Sequence, residues 1–249
     1  EVPKDAFSIQ PYRTRVTSMS DLTYDIKEVQ LTLLDPPEMN FKAGQFVQFK
    51  VPVHHAGPRS VETGSEDPFL YRSYSIASNP LSTHELVFQV RLVPDGLCST
   101  YIHRQMKVGD ELTILGPWGS VHLRDSDRDI LFVAGGSGMS PIRSMLLDMA
   151  NRRCRRKARY FFGAKSARDL YRMGEMREFE NTLPDFRFVP ALSEPAPNDN
   201  WTGEQGLIAD VVNRHVDRID ATDVYLCGSP MMLNACVKAL KAKGLPADR

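Results

Sequence analysis

The chain of 249 residues lacks an excess of charge of either sign, because 31 Lys and Arg balance 31 Asp and Glu. Without a basic excess it has no broad positive field of the kind that attracts nucleic acid. Long apolar runs are also missing. Runs such as Ile130–Ala134 are far shorter than the roughly 20 residues that span a bilayer. These absences predict a chain that binds no nucleic acid and has no membrane span.

Cysteine is scarce and scattered, with single residues at 98, 154, 227 and 236. Their spacing matches neither a zinc site nor the run that holds a plant-type iron–sulfur cluster. A chain of this length has enough core to fold without disulfides. We therefore predict no metal site in this chain, reduced thiols and a cytoplasmic location.

The pattern of strands and helices changes midway along the chain, and we predict domains at 1–125 and 126–249. The first half reads as short strands broken by turns, which predicts an antiparallel β-barrel. A polar segment at 52–69, with His54 and His55, reads as an exposed loop. The predicted strands are Arg13–Met19, Ile26–Leu34, Gly44–Val51, Tyr71–Ala77, Leu86–Leu92 and Glu111–Leu115.

After Gly119 strands alternate with helical segments, which predicts an α/β domain with a parallel sheet. The fold class is therefore an antiparallel barrel followed by a parallel-sheet domain. Strands are expected near 130–134, 158–163, 186–191 and 223–227, with helices near 141–151, 175–181, 206–215 and 230–243.

The segment Tyr71–Pro80 combines a cation, a phenol ring and hydroxyls. On a strand, Arg72 and Tyr74 point to one face and Ser73 and Ser75 to the other. Arg72 suits a phosphate, and a Ser75 hydroxyl suits a ring nitrogen. The set fits a flavin dinucleotide, although an ordinary strand with one exposed Arg explains it equally well.

Two later segments fit phosphate groups. At Asp95–Ile102 a glycine turn leads to Ser99 and Thr100, which we expect to begin a helix, either as a phosphate site or as a plain cap. At Asp129–Pro141 a buried strand enters a Gly-rich turn and then a helix with Pro141 near its start. That order is typical of a dinucleotide pyrophosphate site, although the spacing differs from G-x-G-x-x-G.

Together with Tyr225–Met232, which contains Cys-Gly-Ser-Pro, these segments resemble the ferredoxin-NADP reductase superfamily over almost the whole chain. The superfamily motifs are R-x-Y-S/T, G-x-x-S, G-G-x-G-x-S/T-P and C-G-P-P. Within it, the segments Ala191–Pro195 and Asp199–Gly203 are most similar to the F subunit of sodium-translocating NADH:quinone reductases. Reductase components of multicomponent oxygenases come second.

The resemblance implies FAD and NADH as cofactors and assigns their contacts. Ser75 and Cys227 are the catalytic candidates, with Ser75 donating a hydrogen bond near flavin N5 and Cys227 packing against the nicotinamide. For FAD the expected residues are Arg72, Ser73, Tyr74, Ser75, Val90, Arg91, Gly96, Leu97, Cys98, Ser99 and Thr100. For NAD they are Gly135, Gly136, Ser137, Gly138, Met139, Ser140, Pro141, Lys165, Asp169, Ser193, Glu194, Cys227, Gly228, Pro230 and Met231.

Charge favours NADH over NADPH. A 2′-phosphate needs a local cation, whereas a ribose diol favours a carboxylate. Relatives that use NADP carry Ser-Arg where this chain has Ser193 and Glu194, and Asp169 also resembles the NADH type. Lys165 is a cation and so favours NADPH instead.

The expected function is transfer of hydride from NADH to FAD, then of single electrons to a 2Fe–2S acceptor. That acceptor is expected in a ferredoxin-like domain upstream of Glu1 in the full protein. The alternatives are a separate oxygenase or ferredoxin reductase component, and a nucleotide-binding subunit without turnover of its own. The cytoplasmic location includes the cytoplasmic face of a membrane complex.

Overall fold

The computed structural model describes residues 7–52 and 68–246. Two compact units make up the chain. The first holds the described residues up to Leu123 together with Arg143–Met145, and the second holds the remainder. The predicted domain limits, 1–125 and 126–249, stay a prediction. His54 and His55 lie outside the described residues.

Six antiparallel strands form the sheet of the first unit, in the order β4-β3-β6-β1-β2-β5. A bridge between Ile76, just after β4, and Phe88 of β5 joins the two ends of this order. The predicted antiparallel barrel is therefore confirmed. Its elements are β1 Gln10–Asp21, β2 Ile26–Asp35, β3 Phe46–Pro52, β4 Phe69–Ser75, β5 Glu85–Arg91, α1 Leu97–Arg104 and β6 Glu111–Trp118.

Alternation along the strands builds the core of this unit. In β3, Val47, Phe49 and Val51 are buried while their neighbours are partly exposed, as the two-residue period of a strand requires. Phe49 packs edge-on against Phe88 of β5, with ring centroids 4.9 Å apart. Ile102 of α1 joins the same cluster, so the core fixes the position of this helix.

Five parallel strands form the sheet of the second unit, in the order β10-β9-β8-β7-β11. The chain runs outward from β7 to β10 and then returns to the other side of β7 with β11. The carboxyl ends of β7 and β11 thus meet where the strand order reverses, a common place for ligands. The elements are β7 Asp129–Gly135, α2 Met139–Asn151, β8 Ala158–Ala164, α3 Met173–Thr182, β9 Phe186–Leu192, β10 Glu204–Gln205, α4 Ile208–His215, β11 Thr222–Cys227 and α5 Pro230–Ala242.

The alternating strands and helices of this unit confirm the predicted parallel α/β fold. The amino end of β11 is fixed by Asp223, which is fully buried. Its carboxylate accepts hydrogen bonds from Ser126 Oγ at 2.6 Å and from Arg156 Nη2 at 2.7 Å. Burial raises the pKa of Asp223, but these bonds more than offset it and hold the pKa below its ordinary value.

Candidate functional site

The end of β4 carries the first group of predicted residues. Arg72 and Tyr74 pair in register with Phe49 and Val47 of β3, which are both buried. The Tyr74 ring packs edge-on against Phe49 at 4.9 Å between centroids. Because residues two apart on a strand share a face, Arg72 and Tyr74 lie on the same side, as the spacing predicts.

Helix α1 contributes Cys98 to this group. Burial, and then the neighbouring Cys98, raises the pKa of Tyr74, and the Arg72 guanidinium offsets the rise only in part. Burial likewise raises the pKa of Cys98, again partly offset by Arg72. The structure therefore brings the β4 motif and the start of α1 together, with one exposed guanidinium beside two neutral groups. Ser73 and Ser75 pair with Gln48 and Phe46 on the opposite face of the strand.

The predicted helix start near Ser99 is confirmed, but the alternative that the hydroxyl of Ser99 or Thr100 caps the helix was wrong. Helix α1 starts at Leu97 with Gly96 as its N-cap. The Ser99 hydroxyl donates to the Gly96 carbonyl at 3.1 Å and accepts the Val93 N–H at 3.1 Å, so it closes the turn before the helix. A Cβ on Gly96 would lie 2.7 Å from Ser99 Oγ, which explains the glycine. No side chain caps the helix and its first turn has no acid, an end that suits an anion.

A cavity of about 640 Å³ opens beside this helix. It brings together two predicted residues, Arg91 and Thr100. Sequence reasoning missed the other seven residues that line it, among them Tyr24, Asp25 and Arg104. Arg91 Nε donates to Asp25 Oδ2 at 2.8 Å, so the pair holds one wall. Tyr24 and Asp25 come from the β1–β2 turn, far away in sequence, and no local pattern marks them.

Val90 does not offer its side chain to a ligand. It is fully buried in the core of the first unit, and the His103 ring lies 2.8 Å from its carbonyl oxygen through Nε2. The expected FAD contact at Val90 is therefore limited to its backbone.

In the second unit the Gly-rich turn leaves β7 at Gly135, passes through a 3-10 turn at Gly136–Gly138 and enters α2. A Cβ on Gly138 would lie 2.2 Å from the Cys227 carbonyl oxygen, so this turn touches the end of β11 through backbone alone. Gly136 has a φ of 55°, a value that favours glycine, and its carbonyl accepts the Tyr171 hydroxyl at 2.9 Å. Pro141 is the third residue of α2, as expected.

Met139 and Ser140, which we predicted to contact NAD, are buried. Their side chains are therefore not offered to a ligand, and the Met139 N–H donates within the turn to the carbonyls of Gly136 and Ser137. The first turn of α2 holds no acidic residue, and no side chain caps the helix. Ser137 is partly exposed beside them. The site is thus built mainly from backbone, which matches the way helix starts bind phosphate.

Cys227 ends β11, with its side chain partly buried. Burial raises the pKa of its thiol, which keeps the group protonated at neutral pH. Gly228 follows, and a Cβ there would lie 2.4 Å from Met232 Cε. Pro230 then opens α5, and Met231 is 82% exposed. A neutral thiol beside an exposed methionine forms a weakly polar surface at the carboxyl edge of the sheet.

The ends of β8 and β9 carry the charged residues that bear on the choice of nucleotide. Lys165 Nζ lies 3.2 Å from Glu194 Oε2, and both side chains are 66% exposed. The Glu194 N–H also donates to the Lys165 carbonyl at 2.8 Å. In the sequence Glu194 favours NADH and Lys165 favours NADPH, yet in the structure the two side chains form one ion pair. Asp169 accepts the Ser166 N–H and hydroxyl at 2.8 and 2.7 Å, and so caps a 3-10 turn.

Comparisons with known proteins agree with this architecture. Residues 13–123 match the oxidoreductase FAD-binding domain, and residues 132–238 match the oxidoreductase NAD-binding domain. The chain belongs to the ferredoxin-NADP reductase superfamily.

Among relatives, the chain is 34% identical over 245 residues to the reductase component of propane 2-monooxygenase from Mycolicibacterium goodii, covering 97% of this chain and 66% of the relative. It is 32% identical over 276 residues to the F subunit of the Na⁺-translocating NADH-quinone reductase from Serratia proteamaculans, covering 98% and 68%. A solved ferredoxin reductase in carbazole 1,9a-dioxygenase superposes with a TM-score of 0.80 at 27% identity, covering 98% and 68%. The chain thus spans about two thirds of the length of the curated relatives it matches.

The residues present fit both cofactors. A cavity of about 640 Å³ falls within the range of small-molecule sites, and its charged lining consists of two arginines, Arg91 and Arg104, and two carboxylates, Asp25 and Asp95. The Gly138 turn leaves no room for a side chain on its β11 side, and it leads straight into the uncapped start of α2. The protein is therefore an FAD- and NAD-binding oxidoreductase of the ferredoxin-reductase type.

Among the described residues, no helix is long and apolar enough to cross a membrane. Across residues 7–52 and 68–246, no group of three or more His, Cys, Asp or Glu side chains is arranged to hold a metal ion.

Proposed function

We propose that this chain oxidises NADH through bound FAD and delivers the electrons one at a time to a 2Fe–2S acceptor. The observation that carries the proposal is the presence, in one chain, of a region that matches the FAD-binding domain and a region that matches the NAD-binding domain of oxidoreductases. Bound FAD supplies the chemistry that separates a hydride into single electrons.

On the FAD side, the residues around α1 hold the pyrophosphate. Arg72 supplies a fixed cation, and the uncapped start of α1 at Gly96 supplies N–H groups. Arg104 adds a cation in the adjoining cavity, where Arg91 is paired with Asp25. Ser75, at the end of β4, would donate a hydrogen bond to bound flavin near N5 and so polarise the position that receives hydride. A bond of this kind stabilises charge that develops in the transition state.

On the NAD side, the Gly135–Gly138 turn and the start of α2 bind the pyrophosphate through backbone N–H groups. Cys227 and Met231 give the nicotinamide a weakly polar surface, and the protonated thiol of Cys227 acts by packing, without covalent attack. The Lys165–Glu194 pair faces the adenosine ribose. Glu194 pairs with Lys165 and so weakens the attraction of this cation for a 2′-phosphate, which favours NADH.

The acceptor is a ferredoxin-like 2Fe–2S domain of the same full-length protein. Support comes from relative length, because about a third of each matched relative lies outside the region that this chain covers. A second candidate, a reductase component that serves a separate oxygenase or ferredoxin, is favoured by the relative named for propane 2-monooxygenase. In either case we place the reaction in the cytoplasm, free or at the face of a membrane complex, because all four cysteines are unpaired.

Stopped-flow reduction tests the core of this proposal. The purified chain, reconstituted with FAD, should be yellow, and NADH should bleach it faster than NADPH does under anaerobic conditions. Ser75→Ala should slow bleaching by about 10²-fold while FAD binding changes little, the size expected for one lost transition-state donor. If FAD binds but NADH does not bleach it, the chain is a nucleotide-binding subunit without turnover of its own.

The acceptor is tested with the full-length protein. Reduction of its iron–sulfur centre by NADH, followed by electron paramagnetic resonance, should require the FAD-loaded chain. A full-length protein without a 2Fe–2S signal that still reduces an added ferredoxin would favour the separate reductase component.

A further inference from the structure

The peptide that follows β4 is held by hydrogen bonds from several parts of the chain. The strand ends at Ser75, and the next two residues, Ile76 and Ala77, are fully buried. The Ile76 N–H donates to the Gln45 carbonyl at 3.0 Å, and the Ala77 N–H donates to the Val87 carbonyl at 2.7 Å. These bonds satisfy the N–H groups of the segment. Its buried carbonyl groups need partners as well.

Two side chains of α2 supply those partners. Arg143 Nη1 donates to the Ala77 carbonyl at 2.6 Å, and Ser144 Oγ donates to the Ser78 carbonyl at 2.8 Å. By its contacts, the stretch Arg143–Met145 of this helix belongs to the first unit. Two consecutive carbonyls beyond the end of β4 are therefore fixed by two consecutive donors.

The donors themselves are held in place by packing. Ser144 is fully buried, and its hydroxyl bonds outside the helix, although a serine in a helix can also turn back to a carbonyl of the preceding turn. Met145 packs against Gly44, where a Cβ would lie 2.5 Å from Met145 Cε. Gly44 directly precedes Gln45, whose carbonyl accepts the Ile76 N–H. The same parts of the chain thus contact one another at two points.

The consequence for the candidate site is geometric. Ser75 is the last residue of its strand, so the orientation of its side chain depends on the peptide that follows. A donor that serves one atom of a bound ring has to be held closely, because a misplacement of about 1 Å can cost roughly 10²-fold in rate. The bonds to Ala77 and Ser78 restrict such a displacement.

We propose that Ser144 and Arg143 are positioning residues for Ser75. By fixing the carbonyls of Ser78 and Ala77, they hold the Ser75 hydroxyl where it meets flavin N5. The inference rests on the proposed oxidation of NADH through FAD and extends it by two residues that act through Ser75. Loss of either donor keeps the Ser75 hydroxyl in the chain but lets it move away from N5.

Nitrogen NMR of the chain loaded with FAD that is ¹⁵N-labelled at N5 tests this inference without turnover. The N5 chemical shift reports the hydrogen bond that this atom accepts. Ser75→Ala should move the N5 resonance, because the donor is removed. Ser144→Ala and Arg143→Met should move it in the same direction by a smaller amount, because the donor is present but displaced.

Thr14→Val is the matched control. Thr14 is also fully buried, and its hydroxyl donates to the Leu112 carbonyl at 2.9 Å within the same unit. Thr14→Val and Ser144→Ala should both lower the melting temperature, because each removes a donor from a buried carbonyl. Only Ser144→Ala should move the N5 resonance. A serine with a purely structural role would leave this resonance unchanged, as Thr14→Val does.

Reduction of FAD by NADH gives a second readout. Ser144→Ala should slow the reduction by about tenfold with little change in the KM for NADH, since the donor is misplaced and not lost. In a chain that already carries Ser75→Ala, the further change Ser144→Ala should cause no additional loss, because the group that Ser144 positions is gone.

The outcomes separate this inference from the proposed function. If NADH does not bleach the wild-type FAD, the proposed oxidation fails, yet an N5 resonance that moves in Ser144→Ala still supports the positioning role. An N5 resonance that moves in Ser75→Ala and stays unchanged in Ser144→Ala overturns the positioning role alone. Additive losses of rate in the double variant overturn it as well, because the two serines would then act independently.

Discussion

The two units build their candidate nucleotide sites from different parts of the chain. In the antiparallel unit, side chains from separate elements form the candidate site, because Arg91 at the end of β5 and Arg104 on α1 line the cavity and Arg72 on β4 lies near Cys98 of α1. In the parallel unit, backbone forms it, because Gly138 meets the end of β11 too closely for any side chain. A side-chain site loses one interaction when a residue is replaced. A backbone site loses its shape, since the obstacle is main chain that cannot rotate away.

The sharpest way to break this comparison is Gly138→Ala. The added Cβ would lie 2.2 Å from the Cys227 carbonyl oxygen and 2.7 Å from its carbon, so the turn or the end of β11 must shift. We expect a loss of unfolding free energy of about 3 kcal/mol, at the upper end of the cost of overpacking. Reduction of FAD by NADH should be lost as well. Chemical denaturation and stopped-flow kinetics measure the two effects.

Gly174→Ala is the matched control, because nothing lies within 4 Å of a Cβ at that position in α3. It should be neutral or stabilise by up to about 1 kcal/mol, the usual gain for alanine in a helix. If both variants behave alike, backbone packing does not shape the NAD site.

The side-chain site predicts a graded response to Arg72→Ala. Loss of a hydrogen bond to a charged group costs about 1.5–3 kcal/mol, so the Kd for FAD should rise by roughly 10- to 150-fold with little change in fold. Arg13→Ala, which removes an arginine that is 58% exposed on β1, is the control and should leave FAD binding unchanged. Fluorescence titration with FAD measures both. Equal weakening in the two variants would mean that Arg72 does not contact the phosphate.

The difference between local patterns and contacts between distant residues also explains which features can be predicted from the sequence. Strand and helix periods and the two glycine segments locate every large element, because hydrophobic spacing is a local signal. Helix ends are less certain. Ser99 reads as a cap, yet its hydroxyl turns back to Gly96 and Val93, and Gly96 becomes the N-cap.

In the candidate sites, too, only the features that depend on neighbouring residues can be predicted from the sequence. The backbone turn at Gly135–Gly138 is visible in the sequence because its close approach at Gly138 and its φ of 55° at Gly136 favour glycine. Tyr24 and Asp25 are not visible, because they reach the cavity only when the β1–β2 turn folds beside β5. The pairing of Lys165 with Glu194 is equally hidden, since it depends on two parallel strands ending at the same level.

Reversing the charge of Glu194 sharpens the comparison between the two kinds of site. The Lys165–Glu194 pair consists of side chains, although it belongs to the parallel unit, whose candidate site is otherwise formed by backbone. Glu194→Arg frees Lys165 and adds a second cation. The kcat/KM for NADPH should rise by about tenfold, limited by the solvent around both groups. Glu178→Arg makes the same charge change on the exposed face of α3 and should not alter the ratio. A wild-type enzyme that already prefers NADPH would refute the assignment of this pair to the ribose.

The smallest effect is expected at Cys227, where backbone and side chain make separate contributions. Its carbonyl meets the Gly138 turn, and this contact survives any side-chain replacement. Its thiol is held neutral because burial raises the pKa, so a thiolate is scarce at neutral pH. Cys227→Ala should therefore slow FAD reduction by less than about threefold, as expected when a small apolar contact is lost.

The raised pKa of the Cys227 thiol also determines the direction in which the free energy of unfolding changes with pH. Because the folded thiol loses its proton less readily than the unfolded one, its contribution to stability is complete below the ordinary thiol pKa and declines as pH rises through the folded value. Wild type and Cys227→Ala should thus run parallel in unfolding free energy from pH 6 to 8, with wild type falling relative to the variant only in alkali. Abolished FAD reduction in Cys227→Ala, with Ser75→Ala unaffected, would reverse the two roles and require a thiol mechanism.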